Sequence, residues 1–143
     1  MLYWGDVVCH GHHTLPCNTT GFAALEIRKH GFASLNSGAD WDDLSEFVTG
    51  PLLARSLQLW LNVKTANGAT VQAELQDASG KPLSGYGLNE SVLLSGNAVS
   101  RQMQWSCNAT SAVVDGDLSA STAIRLRLVM RGYVELYSFR FSK

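Results

Sequence analysis

The sequence predicts an all-β domain: an antiparallel β-sandwich of jelly-roll type, with about eight strands behind an irregular N-terminal arm. Three observations carry this expectation. Apolar and polar residues alternate in short runs, clearest at Ile124-Arg125-Leu126-Arg127-Leu128 and Leu57-Gln58-Leu59-Trp60-Leu61-Asn62-Val63. Successive side chains on a strand point to opposite faces, so each run has one dry and one wet face and needs a second layer to cover the dry one. Gly, Pro, Asn and Asp punctuate the runs, and no stretch carries the helical period.

Residues 1–21 hold two Cys, three His, Gly and Pro without periodicity and read as the arm; residues 22–143 read as the sandwich. Alternation starts at Ala23, Leu25 and Ile27 and continues through Phe32 to Leu35 after a break at His30-Gly31. A polar loop spans 36–43. Glu46 to Leu53 reads as a strand interrupted by Gly50-Pro51, and a proline there assigns it to a sheet edge or a bulge. Leu57–Val63 and Val71–Leu75 flank Asn67-Gly68, a pair tolerant of positive φ, and read as a hairpin. Asp77-Ala78-Ser79-Gly80-Lys81-Pro82 forms the next turn. Val99 to Trp105 supplies a strand with Val99, Met103 and Trp105 on one face, residues 106–123 a long polar connection, and Ala123–Met130 with Tyr133–Phe141 a closing hairpin around Arg131-Gly132.

At 143 residues the chain buries roughly two-thirds of the surface its unfolded form exposes, enough to fold without staples. A formal net charge of −1 without blocks of like charge removes the electrostatic footprint of a nucleic-acid binder. Arg125, Arg127, Arg131 and Arg140 cluster late in the chain, but alternation puts the first two on a solvated face. No apolar run approaches the ~20 residues of a membrane span, and the start lacks the basic and apolar regions of a signal peptide. Three Asn-X-Ser/Thr sites, at Asn18, Asn89 and Asn108, point to glycosylation and an extracellular or secretory location. Three cysteines, Cys9, Cys17 and Cys107, allow one disulfide, for which Cys9 and Cys17 are close enough in sequence.

Cys9, His10, His12, His13 and Cys17 are ligand types that zinc accepts, although their spacing matches no closed zinc site. Asp40, Asp42 and Asp43, and the pair Asp115 and Asp117, are turn residues whose oxygens suit calcium. Glycosidic cleavage needs two carboxyl groups facing each other across the sugar, and these neighbours read as backbone caps instead. With no nucleophile elbow, phosphate loop or Cys-X-X-Cys motif, the pattern assigns no catalytic residue and requires no cofactor. Trp60 stands out because it shares the polar face of its run with Gln58 and Asn62. An exposed aromatic ring stacks on the C–H face of a sugar while nearby amides bond its hydroxyls. Trp60, Trp41, Tyr86, Asn62 and Gln58 are therefore the candidate carbohydrate contacts, whereas Trp105 and Tyr137 read as core.

The segments Ile27–Leu35, Leu59–Val63, Glu74–Tyr86, Trp105 and Leu136–Phe141, in that order, resemble the C-terminal β-sandwich module of sialidase-like and levanase-like, glycoside-hydrolase-like proteins. In those proteins the module follows a β-propeller that carries the catalytic carboxylates. His30, where an acidic residue is expected, and the loop around Cys107 depart from the pattern. The resemblance implies a non-catalytic accessory domain acting in domain packing or ligand presentation. Its partner would be the propeller or, for a lone domain, a second copy of the chain. The alternatives are a carbohydrate-binding module and a fragment of a glycosidase.

Overall fold

A computed structural model describes residues 26–38, 43–106 and 117–142. It is all-β, with two antiparallel sheets and no helix among the described residues. The strands are β1 (Leu35–Asn36), β2 (Leu44–Val48), β3 (Leu52–Ser56), β4 (Leu59–Thr65), β5 (Thr70–Asp77), β6 (Asn97–Gln102), β7 (Asp117–Arg131) and β8 (Val134–Phe141). One sheet runs β1-β8-β4-β6. In the other, β7 is flanked by β2 and β3 on one side and β5 on the other.

β2 and β3 lie end to end along β7, pairing with residues 127–131 and then with residues up to Ile124. The break falls at Gly50-Pro51, where the missing proline donor interrupts a ladder. Thr49 bridges the gap: its N–H donates to Leu126 O at 2.9 Å and its Oγ1 accepts from Leu126 N–H at 3.0 Å. The edge position expected from Pro51 is what the fold shows.

The core fills the space between the layers. Leu59, Leu61 and Val63 from one sheet meet Val71, Ala73, Leu75, Ile124, Leu126, Leu128 and Met130 from the other, all fully or almost fully buried. Burying each large aliphatic side chain contributes about 1.5–3 kcal/mol. The alternation read from the sequence is therefore the alternation that builds the interior.

Both predicted hairpins need correction. The chain does reverse at Asn67-Gly68, with Gly68 at φ 79° and Ala69 N–H donating to Ala66 O at 3.0 Å. Yet β4 pairs with β6 and β8 while β5 pairs with β7, so the turn is an arch that carries the chain from one sheet to the other. The same holds for β7 and β8 around Gly132. The two arches stack: Ala66 N–H donates to Tyr133 O at 2.9 Å, and a Cβ on Gly132 would stand 3.0 Å from Ala69 Cβ.

Three smaller expectations also change. β7 begins at Asp117, within the segment read as a polar connection, because its first part, an edge ladder with β3, is built mostly from small and polar residues whose alternation is weak. Residues 26–34 are irregular rather than a strand; Ala23 and Leu25 lie outside the described residues, as does the arm. Val99 is 42% exposed, off the face of buried Met103, because a register shift in the β4–β6 pairing breaks the alternation.

A groove on the β1-β8-β4-β6 sheet

β4 is an interior strand of its sheet, between β8 and β6, so its outward residues look onto a broad face. Register sets Trp60 directly across from Arg140 on β8 and Gln102 on β6. The Arg140 guanidinium lies over the Trp60 ring, 5.0 Å from its centroid, and the indole Nε1–H donates to Ser142 O at 3.3 Å. Cation–π contact and hydrogen bond together fix the ring, which is half-buried.

Next along the strand, Asn62 is 3% exposed although it faces outward. What covers it is the turn Arg28-Lys29-His30-Gly31, closed by Gly31 N–H donating to Arg28 O at 2.9 Å. Asn62 Nδ2 donates to Lys29 O at 2.9 Å and His30 O at 3.4 Å, and its Oδ1 accepts from Arg28 Nε at 2.6 Å. Arg28 also reaches Asn97 Oδ1 at 2.5 Å and Val63 O at 3.2 Å, and stacks on Tyr137 at 4.7 Å. His30 sits at φ 56°, a left-handed conformation that costs a non-glycine residue roughly 1–2 kcal/mol. The amide of Asn62 holds that strained turn against the sheet.

Between turn and strands lies a groove of about 530 Å³ lined by Lys29, His30, Trp60, Asn62, Ser100 and Arg140, with Val99, Ser138 and Phe139 completing its walls. No carboxylate is among the lining residues. Glu135, the acid farther along this face, accepts hydrogen bonds from the hydroxyls of Tyr137 and Tyr133 and pairs with Lys64 at 3.4 Å. Those contacts, the Tyr137 hydroxyl foremost, hold its carboxyl below the usual range and push both phenols up.

The sequence candidates thus separate. Trp60 and Asn62 meet in the groove, but Asn62 is a buried clamp beneath the turn rather than a free amide. Gln58 lies just before β4, where its carbonyl accepts from Ser142 N–H at 3.1 Å, and it does not line the groove. Tyr86 belongs to the other sheet's edge, packed against Trp105 with ring centroids 5.1 Å apart. Trp105 does pack on the core as expected. Tyr137 does not: a bulge opposite Asn62 leaves it unpaired beside Ser138, and it turns outward to Arg28 and Glu135.

Asn89 is exposed in a turn. Trp41, Asn18, Asn108, Cys9, His10, His12, His13 and Cys17 lie outside the described residues, as do Asp40, Asp42 and Asp115. Among the described residues no three His, Cys, Asp or Glu side chains converge to hold a metal ion, and no helix is long and apolar enough to cross a membrane. Alternation along β8 flags Arg140 as outward, but only register joins it to Trp60. Lys29 carried no sequence signal beyond its polarity, and His30 stood out only as a break in the alternation and a departure from the resembled pattern. No family model, curated protein or solved structure matches the chain.

Proposed function

We propose that this chain is a non-catalytic β-sandwich accessory module that binds a saccharide in the Trp60 groove. The observation that carries the reading is a half-buried tryptophan fixed on the outer face of the sheet, in a concavity whose volume falls in the range of small-ligand sites. The part of the half-buried ring that Arg140 does not cover offers an apolar surface to sugar C–H groups, and Ser100, Ser138 and the turn offer polar groups for hydroxyls. The lining lacks the facing carboxyl pair that glycosidic cleavage uses, which supports binding rather than hydrolysis. The likeness to the C-terminal module of glycoside-hydrolase-like proteins agrees with a service role beside a catalytic β-propeller in a secreted glycoprotein.

Affinity electrophoresis of the full chain through gels cast with a panel of neutral and acidic polysaccharides tests the proposal. Retardation by at least one polymer, abolished in Trp60→Ala with the circular-dichroism spectrum unchanged, is the expected result. Free migration in every gel, or retardation that survives Trp60→Ala, would overturn it.

A further inference from the structure

We infer that the groove selects saccharides bearing carboxylates, of the uronate class, over neutral ones; this rests on the saccharide-binding reading above. The groove is cationic on both flanks, with Lys29 on the turn and Arg140 on β8, and its lining holds no acid to neutralise them. Among the described residues the ion pairs join Lys64 to Glu135 and Arg127 to Glu46 and Glu74, so none reaches Arg140 or Lys29.

Arg140 is placed for recognition. A guanidinium carries five N–H donors in a rigid fork suited to a carboxylate. In the described contacts two are used, one on Ser142 Oγ at 2.5 Å and one on Ser100 Oγ at 3.2 Å. Those serines steer the fork while leaving donors on both terminal nitrogens. Because the guanidinium covers one face of Trp60, a pyranose seated against the uncovered part of the indole brings an exocyclic carboxylate beside Arg140. The Asn62 clamp fixes the opposite wall, carrying Lys29 and His30, through backbone contacts that leave their side chains outside the clamp. With a chain net charge of −1, attraction to an anion is a property of this groove and not of the surface as a whole.

Electrophoresis of the full chain through polygalacturonate, through the same polymer after carboxyl reduction, and through dextran sulfate tests this, with duplex DNA as a further polyanion. The expected result is retardation by polygalacturonate that weakens about tenfold or more on carboxyl reduction and in Arg140→Gln, as loss of a charge-assisted fork predicts. Equal retardation by the native and reduced polymers, or by neutral polymers alone, would overturn the carboxylate preference and leave saccharide binding standing. Free migration in every gel would overturn both. Equal retardation by dextran sulfate or DNA that is indifferent to Trp60→Ala would show unselective polyanion attraction and would also overturn the preference. The two-polymer comparison on the unmodified chain needs no variant to fold.

Discussion

Asn62 has three roles that no other side chain on its strand combines: it is interior to a sheet, it faces outward, and it is buried. Its amide bonds both Lys29 and His30 carbonyls and the Arg28 side chain, so truncation leaves three partners to find water under a lid that excludes it. Asn62→Ala should lower stability by about 1–3 kcal/mol, read as a lower urea midpoint at unchanged slope. Glu135 gives a second residue-level expectation. Its carboxyl is held below the usual range chiefly by the Tyr137 hydroxyl, so between its folded pKa and the ordinary value near ~4.3 the unfolded chain binds more protons than the folded one. Its contribution is complete above that ordinary value and is lost as pH falls through the folded pKa. Tyr137→Phe should therefore flatten the acid limb of a stability-versus-pH curve, and an unchanged limb would refute the assignment.

The arches are where element-level reasoning matters most. Gly132 adopts φ 70° and approaches Ala69, which is 1% exposed, so a side chain at 132 meets both a conformational and a steric obstacle. Gly132→Ala should cost about 1–3 kcal/mol in thermal or chemical denaturation, whereas Gly50→Ala, where a Cβ meets nothing within 4 Å, should be close to neutral. The turn residues were legible in the sequence because Asn-Gly and Arg-Gly chemistry is local. Which strands pair across those turns was not, because a hairpin and an arch use the same reversal and differ only in the distant partner. Alternation identified the buried residues of β4, β7 and β8 for a similar reason: period two belongs to the strand itself. It failed at Tyr137 and Val99, where a bulge and a register shift displace the alternation in ways that depend on the neighbouring strand. The groove follows the same division. Trp60 was visible as an aromatic on a polar face, while Arg140 and the His30 turn joined it only through pairing and through Asn62.

For the molecule as a whole, no two consecutive strands among the described ones pair with each other. With β2 and β3 counted as one interrupted strand, the orders β1-β8-β4-β6 and β2/β3-β7-β5 form a jelly roll in which successive connections cross between layers. The position beyond β5 is filled without a regular strand. Val71 pairs with Leu94, Ala73 N–H donates to Ser91 Oγ at 2.9 Å, Trp105 Nε1–H donates to Ala73 O at 3.0 Å, and Leu75 exchanges bonds with Tyr86 and Leu83. That margin is closed by loop atoms. The sequence supplied the two-layer class because amphipathic strands must cover one another, but the crossing order rests on contacts far apart in the chain, which no local pattern encodes.

The opposite margin of the same sheet, formed by β2 and β3, pairs with no further strand among the described residues, and Leu44, Val48 and Leu53 are exposed on it. An uncovered row of amides beside greasy side chains is a template onto which a second molecule can add, the first step toward fibrils. Pro51 stands in the middle of that margin and interrupts the strand, which splits the template into two five-residue pieces. Pro51→Val should leave monomer structure intact while shortening the lag of thioflavin-positive aggregation on gentle heating. The proline that divides one strand into two thereby acts as a gatekeeper that keeps neighbouring copies apart.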